Sequence, residues 1–279
     1  MTPPPTSADR PPRRRPWFAF LREKAIEAYY LVEDVVPHPA NGNAWLRLFR
    51  VPNLLTVPGD MLAGFLLAPA AGAAPWSRFL LALPAGLLLY AAGLALNDLF
   101  DYAEDLRDRP DRPLPSGAIA REAAAAVALV FIWIAGFLAA FAGALAIVVP
   151  LVGCVVVYNV GLKRHAALGP LFMGACRSGN LLLGAAAANG TWFAAPGPWL
   201  GALVLGLYVA GVTRLARNET APDTKFPPAR IGRLLGLLIP LQALLGVAAV
   251  HRFPANHLAL ALLPLAPLRR RLARRYPPS

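Results

Sequence analysis

The length of its apolar runs constrains this chain more than any other feature. Several runs approach or exceed roughly 18 residues, the length at which an α-helix can cross the hydrocarbon core of a bilayer. The chain is 57% hydrophobic and only 15% charged, which is too apolar for a soluble domain of 279 residues. The runs predict eight spans, at about 53–72, 79–99, 122–142, 144–162, 168–189, 198–216, 231–250 and 255–270. We therefore expect an all-α fold, a polytopic membrane bundle of eight to nine transmembrane helices.

The N-terminal segments differ from this apolar body. Residues 1–16 are rich in Pro and Arg, which predicts a disordered basic arm. Residues 17–40 place apolar and charged side chains on opposite helical faces. This pattern predicts an amphipathic helix, either at the membrane interface or packed against the protein's own loops. Residues 41–275 form the single predicted transmembrane domain.

The net charge of +12 raises the question of a nucleic-acid partner. If the N-terminus is cytoplasmic, eight spans place every Lys and Arg on the cytoplasmic side except Arg78, Arg177 and Arg252. This positive-inside bias explains the basic excess and implies contact with anionic membrane lipid, and no nucleic-acid-binding motif is present. We expect an integral protein of the bacterial cytoplasmic (inner) membrane, with both termini cytoplasmic and no nucleic-acid partner.

A dense set of carboxylates and arginines begins where the second predicted span reaches water. Its carboxylates and amide are spaced so that one side of a continuing helix gathers them. The residues are Asn97, Asp98, Asp101 and Asp105. Such oxygen ligands suit Mg²⁺, and the arginines that follow, Arg107, Arg109 and Arg112, suit phosphate oxygens. A metal and arginines facing an apolar cavity indicate a substrate with a diphosphate head and a hydrocarbon tail.

Polar side chains within other predicted spans extend the candidate site. Asn53 is either a substrate contact or a helix-start cap. Asp60 should face the bundle interior, because a carboxylate is costly toward lipid. There it could pair with an intramembrane arginine, for which Arg177 is the obvious candidate. Arg177 and Asn180 either line a cavity or bond neighbouring helices together.

Two predicted loops open on the same side as the carboxylates. At the end of the fourth span, Tyr158 and Lys163 either anchor the helix at the interface or face the ligand. In the second case Lys163 faces a bound diphosphate and Tyr158 faces the reacting carbon. After the sixth span, Arg217 and Glu219 lie in a charged loop with one or two further candidate metal ligands.

Residues 97–105 resemble the first signature of the UbiA superfamily of intramembrane prenyltransferases. That signature is NDxxDxxxD at the cytoplasmic end of the second helix, and the chain matches it at every fixed position. The stretch from Arg109 to Gly117 is similar to the family's loop, in which an arginine and Pro-Ser-Gly close over the diphosphate. Tyr158 and Lys163 lie near the family's Tyr and Lys after the fourth helix. The resemblance runs from about residue 45 to 250.

The resemblance implies Mg²⁺-dependent transfer of a prenyl group from a polyprenyl diphosphate to a small lipophilic or aromatic acceptor. The implied catalytic residues are Asp98, Asp101, Asp105, Tyr158 and Lys163. Together with the polar residues of the other spans and loops, the candidate substrate-binding residues are Asn53, Asn97, Arg109, Arg112, Lys163, Arg177, Asn180, Arg217 and Glu219. The metal ligands implied by the first motif are Asn97, Asp98, Asp101 and Asp105, and the charged loop after the sixth span adds Glu219 as a candidate.

The chain departs from the family pattern in two ways. The second aspartate-rich motif after the sixth helix is absent, and Thr213, Arg217, Asn218 and Glu219 stand in that stretch. An arginine there either replaces a cation by a fixed positive charge or marks lost or altered catalysis. The family also typically has nine spans, with one more after the sixth than we find here. The alternative function is therefore a non-catalytic membrane protein that binds a lipid diphosphate or assists export of a lipophilic metabolite.

Overall fold

The architecture is entirely helical in the residues that the structure describes. The structure is a computed structural model, and it describes residues 42–69, 75–190, 192–217, 219, 224–252 and 254–276. The predicted arm at 1–16 and the predicted amphipathic helix at 17–40 lie outside these residues. The all-α prediction is confirmed.

We number the α-helices in chain order. They are α1 (Gly42–Leu48), α2 (Val51–Leu54), α3 (Val57–Leu67), α4 (Trp76–Phe100), α5 (Tyr102–Asp108), α6 (Arg121–Phe141), α7 (Leu145–Val160), α8 (Leu168–Ala188), α9 (Pro196–Ala216), α10 (Pro228–Gly236), α11 (Leu238–Val247) and α12 (Leu265–Arg275). Short 3₁₀ helices lie between them at Leu162–Arg164, Trp192–Ala194, Val250–Arg252 and Ala255–Leu262.

Four helical stretches in the described residues are long and apolar enough to cross a membrane. They are α4, α6, α9 and the continuous stretch Pro228–Val247 formed by α10 and α11. The apolar helices Val51–Leu67 and α7 are shorter. Helix α8 has 21 residues, and its apolar sequence is interrupted by Arg177 and Asn180.

The last predicted span, 255–270, is divided in the structure. Its first part is the 3₁₀ helix Ala255–Leu262, and its second part belongs to the 11-residue helix α12. Pro264 lies between them and carries no backbone N–H for a continuous helical ladder. Helix α12 also ends in basic side chains, so neither piece is a span of the predicted length.

Helix α8 lies at the centre of the bundle and contacts α3, α4, α7 and α9. Glycines allow the backbones to approach closely, as is common between membrane helices. A Cβ atom at Gly64 of α3 would overlap the carbonyl oxygen of Leu181 in α8. A Cβ atom at Gly184 of α8 would likewise overlap the carbonyl oxygen of Met61 in α3. This close packing brings Arg177 and Asn180 of α8 against Thr56, which precedes α3, and against Asp60 within α3.

Candidate active site

The C-terminal end of α4 and the following helix α5 carry the carboxylates of the candidate site. The two helices join at Asp101, whose backbone N–H still donates to the carbonyl oxygen of Asn97 at 3.0 Å. Asp98 and Asp105 are buried on either side of Arg112. The Arg112 Nη1 atom lies 2.6 Å from Asp105 Oδ2 and 3.8 Å from Asp98 Oδ1. Burial raises the pKa of the Asp105 carboxyl group, and Arg112 opposes that rise.

Asp101 pairs with the lysine that sequence analysis selected. The Lys163 Nζ atom lies 2.7 Å from Asp101 Oδ1 and donates to the Asn97 carbonyl and Oδ1 oxygens, both at 3.4 Å. Burial lowers the pKa of the Lys163 amine, and the charge of Asp101 opposes that shift. The 3₁₀ helix after α7 thus brings Lys163 onto the end of α4.

Arg50 belongs to the same cluster, and sequence analysis did not select it. Its Nη2 atom donates to Asp98 Oδ1 at 2.9 Å. Arg50 has φ 43° and ψ 56°, and it is the non-glycine residue with positive φ among the residues described. This left-handed conformation is unfavourable for a residue with a Cβ atom, and such strain concentrates at functional sites. The turn that it makes between α1 and α2 allows its side chain to reach Asp98.

An apolar cavity of about 320 Å³ opens beside these charges. Its outer end, next to the carboxylates, is lined by Arg50, Asn53, Asn97, Tyr158 and Asn159. Its inner end is lined by Thr56, Tyr90, Arg177 and Asn180. Apolar side chains line the wall between the two ends, among them Leu89, Leu94, Val155, Met173, Val209 and Leu235. The cavity therefore suits a ligand that is largely hydrocarbon and polar where it meets the ends.

The inner end of the cavity is backed by a buried hydrogen-bond network around Asp60. The Arg177 Nη2 atom donates to Asp60 Oδ1 at 3.0 Å and to the Thr56 carbonyl oxygen at 2.9 Å. The Asn180 Nδ2 atom donates to Asp60 Oδ2 at 3.3 Å. The Gln242 Nε2 atom donates to Asp60 Oδ1 at 2.6 Å and to the Thr56 carbonyl oxygen at 2.7 Å. The predicted pairing of Asp60 with Arg177 is confirmed, whereas no sequence pattern singled out Gln242.

Asn53 is not the cap of a helix, because the N-cap position of α2 is Arg50. Its side chain lines the outer end of the cavity, and its Oδ1 atom accepts a hydrogen bond from Arg269 Nη2 at 3.2 Å. The interpretation of Asn53 as a helix cap is therefore wrong, and the interpretation as a substrate contact stays a prediction.

The loop after α9 makes contacts that the sequence did not predict. The Arg217 guanidinium donates to the backbone carbonyl oxygens of Arg164 and His165, at 2.8 and 2.7 Å. Arg217 therefore holds the segment that carries Lys163. Glu219 is half-buried, and burial raises the pKa of its carboxyl group against the opposing charge of Arg109. Among the described residues, Glu219 and the three aspartates do not form a group that could hold a metal ion.

The residues of the outer end fit Mg²⁺ by the chemistry of their donors. Asp98, Asp101 and Asp105 offer carboxylate oxygens, which this ion prefers, and each already contacts a positive charge. In the described part of the chain, no group of three or more His, Cys, Asp and Glu side chains is already close enough to hold a metal ion. The cause is local, since Arg112 occupies the space between two of the carboxylates. An ion would take the place of these basic groups on the carboxylates.

Comparison with protein-family models identifies the family of the chain. The family model described as the UbiA prenyltransferase family matches residues 61–270. The chain belongs to this family. With its apolar helices, it is an integral membrane protein.

Individual relatives show the same kinship. The digeranylgeranylglyceryl phosphate synthase of Methanoculleus marisnigri is 32% identical over 178 residues, which is 62% of this chain and 58% of that protein. The chain spans about half the length of the curated relatives that it matches.

Two solved structures share the fold. A UbiA homologue from Aeropyrum pernix K1 has a TM-score of 0.53 at 19% identity, over 80% of this chain and 89% of that one. A UbiA homologue from Archaeoglobus fulgidus, bound to DMAPP and Mg²⁺, has a TM-score of 0.51 at 15% identity, over 83% and 87%. At these identities the likeness shows that the fold is the same.

Proposed function

We propose that this chain transfers a prenyl group from a polyprenyl diphosphate to a small lipophilic or aromatic acceptor in a Mg²⁺-dependent reaction. The observation that carries the proposal is the cluster of three aspartates and three basic side chains next to the outer end of the cavity. The cluster adjoins the apolar chamber through Arg50 and Asn97, which line it. The DMAPP and Mg²⁺ held by the Archaeoglobus fulgidus homologue support the same ligand class here.

The outer end would bind the diphosphate head. Asp98, Asp101 and Asp105, with Asn97 beside them, would hold Mg²⁺. When bound, this ion neutralises the negative charge that grows on the leaving diphosphate. Arg112 and Lys163, which now neutralise the aspartates, would turn toward the phosphate oxygens. Because their attraction increases as the carbon–oxygen bond breaks, these side chains would stabilise the transition state.

The apolar chamber would protect the allylic carbon. The bonding electron pair leaves with the diphosphate, and the acceptor nucleophile bonds to the allylic carbon. The acceptor then loses a proton, which passes to the released diphosphate or to solvent. Walls such as Leu94 and Val155 exclude water from the positive charge that develops on carbon. Tyr158 lines the cavity at its outer end, where its ring face would stabilise that charge.

Arg217 is proposed to position Lys163 rather than to touch the diphosphate. Replacing Arg217 by Gln removes both hydrogen bonds to the carbonyl oxygens of Arg164 and His165. We expect the KM for the prenyl diphosphate to rise roughly tenfold, the size of effect that is typical when a hydrogen bond that orients a ligand-binding side chain is lost. Steady-state kinetics at saturating Mg²⁺ measures this change. Arg214→Gln, one turn earlier on α9 and exposed, is the matched control; an equal effect of both changes would contradict the positioning role.

The test of the proposed function is diphosphate release by purified protein in nanodiscs. Radiolabelled geranyl and geranylgeranyl diphosphate are supplied with an extract of host metabolites, with Mg²⁺ or with EDTA. We expect labelled product and diphosphate only with Mg²⁺, because the carboxylates cannot neutralise a diphosphate without a cation. Tight donor binding without turnover would contradict a transferase and support a non-catalytic protein that binds a lipid diphosphate or assists export.

A further inference from the structure

We propose that the inner end of the cavity binds a neutral carbonyl oxygen of the acceptor, and that Arg177 donates the hydrogen bond. That the carbonyl belongs to an acceptor rests on the proposed function. The binding itself rests on the geometry of the inner end alone.

Arg177 has hydrogen-bonding capacity that the described residues do not use. Its side chain is 5% exposed and lines the cavity. All of its hydrogen bonds to the described residues come from Nη2, so neither Nη1 nor Nε has a partner among them. The Nε atom is enclosed by the protein, which leaves Nη1 as the donor that a ligand in the cavity can reach. A buried donor without an acceptor is unfavourable. A ligand oxygen at the inner end would supply that acceptor.

The charges at the inner end favour a neutral oxygen. Asp60 is fully buried and already neutralises Arg177, and its other partners, Asn180 and Gln242, are uncharged. A carboxylate or phosphate here would be a third charge without a partner in an apolar chamber, which is strongly unfavourable. A carbonyl oxygen accepts a hydrogen bond from the guanidinium and adds no net charge.

The dimensions of the cavity separate this site from the diphosphate site. Tyr90 at the inner end precedes Asn97 at the outer end by seven residues on α4, which is about 10 Å along the helix. The Tyr90 ring lies 5.5 Å from the Arg177 guanidinium carbon. Apolar side chains line the space between the two ends. A flat, fused-ring ketone or quinone spans such a distance, whereas a hydrocarbon tail offers no oxygen to Arg177.

The test is ligand binding by the full chain in nanodiscs, without donor or Mg²⁺, corrected for partition into empty nanodiscs. The probes are 2,3-dimethyl-1,4-naphthoquinone, the matched hydrocarbon 2,3-dimethylnaphthalene, and 2-naphthoate. The methyl groups of the quinone block addition of the Cys176 thiol, which also lines the cavity. We expect the quinone to bind roughly tenfold more tightly than the hydrocarbon, as one charge-assisted hydrogen bond predicts. We expect 2-naphthoate to bind most weakly.

Arg177→Lys retains the charge beside Asp60 but loses the Nη1 donor. We expect quinone affinity to fall roughly tenfold in this variant while hydrocarbon affinity is unchanged. The matched control is Arg252→Lys, because Arg252 is also buried but bonds the carbonyl oxygens of Ala68 and Pro69 away from the cavity lining. We expect no change from that control.

Three results would overturn the proposal: equal affinity for quinone and hydrocarbon, tightest binding of 2-naphthoate, or unchanged quinone affinity in Arg177→Lys. If Arg177→Lys does not fold, the double variant Asp60→Asn with Arg177→Gln removes both buried charges together and is expected to show the same selective loss. Since no donor or metal is present, a failure of prenyl transfer leaves this result intact. Conversely, Mg²⁺-dependent transfer without carbonyl preference would reject only the inner site.

Discussion

Replacing Asp98 by Asn is expected to lower Mg²⁺-dependent diphosphate release about a hundredfold, the usual loss when one charged group at a transition state is removed. Asp98 is nearly buried and accepts a hydrogen bond from Arg50, while Arg112 approaches it from the α5 side. The amide keeps the shape of the side chain but removes the charge that would hold a metal ion. Single-turnover release of radiolabelled diphosphate at saturating donor measures the effect on chemistry apart from binding.

Asp108→Asn is the matched control for this prediction. Asp108 ends α5, is exposed, and makes none of the contacts that join the three aspartates. We expect its variant to retain the rate of the parent protein. Equal rates for the parent and Asp98→Asn would show that the carboxylate cluster does not carry the chemistry.

Replacing Gly64 by Ala is expected to destabilise the bundle by about 2 kcal/mol, a typical cost of overpacking a tight interface. The new methyl group would overlap the backbone carbonyl oxygen of Leu181, which cannot rotate away as a side chain can. Helices α3 and α8 would have to separate, and the network around Asp60 lies between them. Unfolding in a titration with a denaturing detergent, followed by tryptophan fluorescence, measures the loss.

Gly153→Ala in α7 provides the matched control. A Cβ atom at Gly153 meets nothing within 4 Å, so the same chemical change has open space. We expect unchanged or slightly greater stability there, because alanine favours a helix over glycine. Similar losses at Gly64 and Gly153 would contradict the close approach of α3 and α8.

The apolar runs predicted the class of fold well because membrane helices have an intrinsic length and composition. The prediction was least successful at the C-terminal end, where the apolar content of 255–270 suggested a span. Apolar composition does not reveal that Pro264 interrupts the helical hydrogen-bond ladder. The missing N–H group of Pro264 determines where the helix in that segment ends, and a mean hydropathy carries no information about a single N–H group.

The candidate site was predictable where its residues lie close together in sequence. The aspartates from Asp98 to Asp105 are close in sequence, so their position at the end of α4 and in the adjoining α5 could be inferred directly. Arg50 and Gln242 could not be inferred in this way, because Arg50 reaches the site through an unusual turn and Gln242 lies 182 residues from Asp60. Sequence analysis selected Arg217, but only the structure shows that its guanidinium is bonded to backbone carbonyl groups.

The pairing of carboxylates with basic side chains has a consequence for the order of ligand arrival. Asp98, Asp101 and Asp105 are already neutralised by Arg50, Arg112 and Lys163. A divalent ion that arrives alone must displace a basic side chain, which is then left without an anion. A diphosphate that arrives alone must draw basic side chains away from the aspartates, which are then left without a cation. When ion and diphosphate enter as one complex, both sets of charges exchange partners in a single event. The outer end would thus bind either ligand weakly alone and bind the two tightly together.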